Sequence, residues 1–324
     1  MSKNERIPVA VIGVGHLGSR HARVYAELPQ ADLVGVADLK IDRARKVSEE
    51  YGTTAATDYR DLLPKIRAAS IAVPTVDHCR IAQELMESGV DVLVEKPVTT
   101  TIEEAERLLT VSRERDRIFA VGHTERYNPA VTGLMGQSND PRFIEVHRLG
   151  AFSPRSLDID AVLDLMIHDL DIVAALVGSD VDSIEAIGVP VLTEKVDIAN
   201  ARLRFASGCV ANLTASRISQ KKIRKLRIWE RQRYVSVDYL NQEALSYSLV
   251  RGNVGLPDIH CEDLSVKREE PLKLELADFL GAVAEQRKPR VSGEDGLRAL
   301  RLAVEVVAAM EETTAATSSD ITVL

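Results

Sequence analysis

Cysteine is scarce in this chain. The three present, Cys79, Cys209 and Cys261, are far apart and form no C-x-x-C pair, so neither a disulfide framework nor a zinc ribbon is indicated, and a reducing compartment fits. Long apolar runs are missing as well: nothing approaches the ~18 residues of a transmembrane helix, and the opening M-S-K-N-E-R-I-P has no apolar signal-peptide core. The expectation is a cytoplasmic, unanchored protein. Positive charge is in deficit, with a formal net charge of -8, which argues against general affinity for nucleic acid or an anionic membrane. No internal repeat of about 20 to 50 residues is visible. Disorder would need far fewer apolar residues than the 45% found here beside 28% charged residues.

At about 100 to 200 residues per domain, 324 residues allow two domains. The first half alternates strand-like and helix-like stretches. Ile7 to Ile12 is β-rich and enters G-V-G-H-L-G, and a helical pattern runs from Leu17 to Leu28. Strand, glycine turn and helix form the setting of a dinucleotide fingerprint. Gly13 allows the tight turn, Gly15 keeps a Cβ out of a pyrophosphate's way, and Gly18 lets helix and strand approach. His16 and Leu17 lie in the same turn. Bound phosphates would face the helix N-terminus, where free N–H groups favour negative charge. The acid expected about 20 residues on is Asp38, closing the strand Leu33 to Ala37. Its carboxylate suits ribose hydroxyls and repels a 2'-phosphate, which favours NAD over NADP. Lys40 and Arg43 nearby soften that preference.

The alternation continues through a helix at Asp42 to Tyr51, an extended piece at Thr53 to Ala56, and a fourth strand, Ala69 to Val73, that ends in Pro74-Thr75. A helix over Val76 to Ser88 follows. Thr75 and His78 stand where strand edge meets helix start, within reach of a cofactor; the alternative for His78 is a bond to local backbone. The fifth strand, Val90 to Val94, delivers Glu95, Lys96 and Pro97. Proline cannot donate to a ladder, so the strand leaves the sheet there and Lys96 arrives at the C-terminal edge, where ligands of open parallel sheets bind. A helix over Ile102 to Arg115, N-capped by Thr101, and a sixth strand, Ile118 to Val121, complete the series. These units imply a doubly wound parallel sheet of Rossmann type over residues 1–122.

An α+β domain with an open, mostly antiparallel sheet is expected over residues 123–312, followed by a frayed tail, 313–324. Asn128-Pro129 starts a helix over Ala130 to Gln137, and Phe143 to Leu149 reads as a strand. The next helix, Ile159 to Val177, is apolar nearly all round. At 100° per residue Asp164, His168 and Asp171 share a narrow polar stripe of about 60°. Such a stripe is either a satisfied core network or the wall of a cleft. One histidine with scattered aspartates makes no tight metal-ligand set. Asp169 points to the apolar side, and the periodicity offers no role for it.

From Ile184 to Val250 the pattern is strand-like, with hairpin signals at Ala206-Ser207-Gly208 and Arg231-Gln232. A sheet with one free face is a common seat for a second subunit, so a homo-oligomer is expected. Arg217 to Arg233 holds eight basic residues but one aromatic, Trp229. That is a poor nucleic-acid surface; it reads as a solvated strand face or as a pocket for a phosphorylated substrate. Helices are expected over Glu270 to Gln286 and Glu294 to Glu312.

The ordered set G-V-G-H-L-G-S-R-H, E-K-P and D-L-M-I-H-D-L-D resembles, along nearly the whole chain, the glucose-fructose oxidoreductase, inositol dehydrogenase and MocA family. The resemblance implies an NAD-dependent sugar dehydrogenase in which Lys96, Asp164 and His168 flank the reacting carbinol. His168 is then the general base, Asp164 orients its ring, and Lys96 binds the substrate oxygen and the nicotinamide ribose. G-H-T-E-R-Y-N-P-A-V further resembles the branch that oxidises the 3-hydroxyl of UDP-N-acetylglucosamine, whose 3-keto product passes to an aminotransferase. That branch implies that Arg126, Tyr127 and Asn128 line the substrate and that Lys222 and Arg224 meet its diphosphate. The alternatives are a dehydrogenase of a free sugar or inositol and, from another class, a non-catalytic dinucleotide-binding regulator.

Overall fold

The computed structural model describes residues 6–137, 140–152, 159–251, 257–264 and 267–320. In chain order the first elements are β1 (Ile7–Ile12), α1 (Gly18–Glu27), β2 (Ala31–Ala37), α2 (Ile41–Tyr51), β3 (Thr54–Ala56), β4 (Ala68–Ile71), α3 (His78–Glu87), β5 (Asp91–Glu95), α4 (Ile102–Glu114) and β6 (Phe119–Gly122). The six strands form one parallel sheet in the order β3-β2-β1-β4-β5-β6. β4 and β5 are buried at every residue, as strands covered on both faces must be. The chain winds outward from β1 to β3 and then restarts beside β1 with β4. That reversal opens a crevice at the carboxyl ends of β1 and β4. At α4 the expected cap is a full capping box: Thr101 Oγ1 accepts from Glu104 N at 3.2 Å, and Glu104 Oε2 accepts from Thr101 N at 3.3 Å.

The following elements are α5 (Pro129–Thr132), β7 (Phe143–Leu149), α6 (Ile167–Val177), β8 (Val181–Val189), β9 (Ile198–Phe205), β10 (Val210–Ser216), β11 (Ile223–Trp229), β12 (Arg233–Asp238), β13 (Glu243–Arg251), β14 (Pro257–Asp263), α7 (Pro271–Glu285) and α8 (Gly293–Asp320). The eight strands form a second sheet, β14-β13-β12-β11-β7-β10-β9-β8. All its pairings are antiparallel except β7 with β10. Both hairpin turns fall where the sequence puts them. Along β7 burial alternates, so Ile144 and Val146 join Leu170, Val173, Leu226 and Val306 in one core. The other face carries a ladder of aromatic rings, Phe143, Trp229, Tyr234 and Tyr247, with centroids 5.1, 5.2 and 5.6 Å apart.

The chain divides into two compact units, residues 1–127 with 270–298, and 128–269 with 299–324. The first unit therefore runs a few residues past Gly122 and takes in a later segment of the chain. A 3-10 turn, Thr124–Tyr127, is tied to α7, where Thr124 Oγ1 donates to Glu275 and Tyr127 Oη donates to Asp278, each at 2.9 Å. α7 buries Leu276, Phe279 and Leu280 in the same core as Val24 and Tyr25 of α1 and Leu28 just after it.

Three further expectations are corrected. The helix from Asn128 stops at Thr132 and gives way to turns. Residues 313–320, expected to fray, continue α8. The stretch before α6 is not α-helical: Val162–Met166 is a π turn in which Ile167 N–H reaches back five residues to Val162 O. The wider ring adds a residue to the turn, so a uniform 100° step misplaces Asp164 relative to His168.

Candidate active site

The first unit builds a cofactor edge from backbone outward. Gly13 has φ +83°, and a Cβ there would lie 2.7 Å from Ala72 O. Gly18 is more constrained still, since its Cβ would stand 1.8 Å from Gly13 O. Around Gly15 no heavy atom lies within 4 Å of the corresponding point, which leaves room for a group on the exposed side of the turn. The first turn of α1 closes back on this loop, Ser19 N donating to Gly15 O at 3.1 Å and Arg20 N and His21 N to Leu17 O at 2.9 and 3.1 Å. Asp38, at the tip of β2, accepts from Val14 N at 3.0 Å and from Lys40 N at 2.9 Å. Each of its oxygens keeps a second lone pair for a hydroxyl. A cleft of about 510 Å³ opens here, lined by Gly13, Gly15, Asp38, Arg43, Pro74 and Arg80 among others. Turn, helix end, acid and cleft fit an adenine dinucleotide, and the 2'-position would meet a carboxylate.

Leu17 precedes α1 and is half-buried, while His16 is exposed. Thr75 opens a 3-10 turn ahead of α3. His78 does not line the cleft. It is 1% exposed and bridges Pro97 O at 2.9 Å and Val73 O at 3.0 Å, so it ties the ends of β4 and β5 together. Burial pushes its pKa down.

Lys96 follows β5 directly and is half-buried. Its backbone N–H donates to Glu95 Oε2 at 3.2 Å, and Glu95 Oε1 meets His21 Nε2 at 3.0 Å, both side chains being buried. Glu275 on α7 is fully buried near them; burial and then the charge of Glu95 raise its pKa well above the usual carboxylate range. His123 is also buried. Burial, followed by the charges of Arg126 and Lys96, lowers its pKa to about 3, so it is neutral at ordinary pH and a poor proton acceptor there.

The second unit presents Asp164 in the π turn and His168 in the first turn of α6, both half-buried. Asp160 starts this helical stretch by accepting from Val162 N at 2.9 Å and Leu163 N at 3.0 Å. Asp171 is fully buried. Asp169, for which periodicity offered no role, takes two hydrogen bonds from Arg148 on β7: Nε to Oδ2 at 2.6 Å and Nη2 to Oδ1 at 2.9 Å.

Among the residues expected to touch substrate, Tyr127 and Asn128 are buried and occupied internally. Tyr127 bonds Asp278 beneath Arg290, whose guanidinium lies 5.1 Å from the ring centroid. Asn128 caps α5 through Ala130 N and donates to Tyr239 O at 3.0 Å. Arg126 is 8% exposed. Lys222 is exposed just before β11. Arg224 is half-buried and in register with Arg148, which places it on the core-facing side of the sheet. Several other cations of the basic stretch are matched by acids: Arg227 with Glu145 at 2.6 Å, Arg233 with Glu230 at 3.8 Å. Nucleic acid gains little from such a surface. Among the described residues no cluster of three or more His, Cys, Asp or Glu is placed to hold a metal, and no helix is long and apolar enough to cross a membrane.

His21, Glu275 and Arg148 are missing from the sequence reading. Glu275 had a visible signal, because it sits with Leu272, Leu276 and Phe279 on the buried stripe of α7, where an acid is out of place.

The glycine turn, Asp38 and the cleft beside them mark the first unit as a dinucleotide-binding one, and the relatives of the chain are NAD(P)-dependent dehydrogenases of CH–OH groups. The chain belongs to the GFO/IDH/MocA oxidoreductase family: residues 7–123 match its NAD-binding Rossmann domain and residues 131–232 its C-terminal domain. It is 41% identical over 303 residues, 93% of this chain and 96% of the relative, to the UDP-N-acetylglucosamine 3-dehydrogenase of Acidithiobacillus ferrooxidans. A solved structure of that enzyme superposes with a TM-score of 0.90 at 39% identity, covering 95% of this chain and 98% of that one. The myo-inositol 2-dehydrogenase of Thermotoga maritima is 25% identical over 94% of this chain and 96% of its own length.

Proposed function

We propose that this protein oxidises the 3-hydroxyl of UDP-N-acetylglucosamine to the 3-keto sugar with NAD. The observation that carries the reading is 41% identity along 93% of the chain to an enzyme of that name, and the sequence carries Lys96, Asp164 and His168 to support it. Bound NAD supplies the hydride acceptor. His168 takes the hydroxyl proton, Asp164 orients the imidazole and stabilises its charged form, and Lys96 donates to the substrate oxygen as negative charge develops there. Asp38 holds the adenosine ribose. Lys222 and Arg224 receive the diphosphate, and Arg126, Tyr127 and Asn128 shape the sugar's surroundings.

The protein works in the cytoplasm as a homo-oligomer joined through the open face of the eight-stranded sheet, which the aromatic ladder supports. A 3-keto sugar is a substrate for transamination, so an aminotransferase acts next. Purified protein given NAD and UDP-N-acetylglucosamine should produce NADH, more completely when an aminotransferase removes the ketone. No NADH under those conditions sinks the proposal. The likeness to the inositol dehydrogenase supports a second reading, in which a free polyol is oxidised instead; a panel of polyols beside UDP-sugars separates the two. His168→Ala should lower kcat by about 10² to 10⁴. Unchanged turnover in Lys96→Ala and His168→Ala would remove the assigned roles.

A further inference from the structure

His168 is one residue from a buried ion pair, and that pair is built for direction more than for stability. Arg148 is 2% exposed and Asp169 1%. Their two hydrogen bonds form a bidentate fork, an arrangement that fixes angle as well as distance. Arg148 comes from β7, the strand paired in parallel with β10 and antiparallel with β11 near the middle of the sheet. Its guanidinium also stands 5.6 Å from the ring centroid of Tyr239. Tyr239 is held in turn, donating its N–H to Arg224 O at 3.0 Å and accepting from Asn128 Nδ2 at 3.0 Å.

The helix needs such an anchor. α6 follows a π turn, an irregular ring that breaks the usual register. Around it stand Ile167, Leu170, Ile172 and Val173, all fully buried. Apolar contact favours burial but not one rotation of the helix about its axis, and apolar cores lose uniqueness before they lose stability. A buried ion pair adds little net stability, because desolvation offsets the attraction. What the fork supplies is a fixed rotation of the first turn of α6.

We propose that Arg148 and Asp169 are positioning residues for His168: the fork between the second unit's central strand and α6 sets the direction of the imidazole. The proposal rests on the reading of His168 as the base. It also explains why an acid follows that histidine.

The test replaces the pair by apolar residues of similar volume, Arg148→Met with Asp169→Leu, and separately changes Arg148→Lys. The double variant should fold with wild-type or higher resistance to urea. Its kcat should fall by about 10²-fold, the usual cost of a displacement near 1 Å, with KM for NAD unchanged. R148K keeps the charge without the fork and should also lose kcat. A purely structural pair predicts the reverse, wild-type kcat in both variants, and that result overturns the proposal. Nitrogen-15 NMR of the His168 ring needs no turnover. The wild type should show one well-resolved ring environment and the double variant an averaged one; identical spectra refute the proposal even if the protein proves to act on another substrate. A wild-type enzyme inactive on all sugars, with spectra that still differ, removes the functional reading and leaves the positioning intact.

Discussion

Two sets of buried acids, one in each unit, are accommodated in opposite ways. In the second unit, two fully buried acids each meet an arginine: Asp169 has Arg148, and Asp197 has Arg217 at 3.5 Å. In the first, the acids behind Lys96 meet one another, a histidine, a backbone N–H and a hydroxyl. Glu95 binds His21 and the Lys96 backbone, while Glu275 has Thr124 and the unfavourable charge of Glu95. Matched charges fix geometry and stay ionised. A carboxyl beside another carboxyl keeps its proton instead, so charge does not accumulate beneath the cofactor edge. The cost of burial is thus met at Asp169 by a counter-ion and at Glu275 by a pKa raised well above the usual carboxylate range.

Breaking each arrangement should separate the two solutions. The largest effect is expected from Asp169→Ala, which strands the Arg148 charge in the core and should cost about 3–5 kcal/mol in urea melts. His21→Ala removes the side-chain donor to Glu95 Oε1 without leaving a naked cation, so about 1–3 kcal/mol is expected. Equal costs for the two would erase the contrast. Glu275→Gln sharpens it through pH. Because the folded pKa of Glu275 lies above its unfolded value near 4.5, its stabilising contribution is complete below that pH and declines as pH rises toward the folded value. The glutamine variant lacks the decline, so its stability relative to wild type should climb from mildly acidic to alkaline buffer. A constant difference would mean that Glu275 is ionised throughout. The smallest effect belongs to the half-exposed pair Arg227–Glu145 on the open face, where Arg227→Ala should cost no more than about 1 kcal/mol.

What could be read without coordinates was whatever depends on neighbours in the chain. The glycine turn, Asp38 at its distance, Lys96 at a strand end, the Thr101 cap and both hairpins are local patterns, and each stands where its spacing puts it. His21–Glu95 and Arg148–Asp169 join residues 74 and 21 positions apart; no periodicity encodes those meetings. The helix carrying His168 was legible as an apolar helix with a polar stripe, but the π turn was not, since the reading assumes one angular step throughout. The segments that join the first unit beyond Gly122 were hidden for a related reason. Strand–helix alternation stops there, yet Thr124 and Tyr127 are bound to α7, which the chain supplies about 150 residues later.

That late return has a consequence for biosynthesis. Tyr25 and Leu28 are covered by α7, so the apolar surface of α1 is bare while residues 128–269 are being made. At about 5 to 20 residues per second, roughly 140 residues take about 7 to 28 s. During that interval the nascent dinucleotide-binding unit offers an uncapped hydrophobic face to other chains and to chaperones.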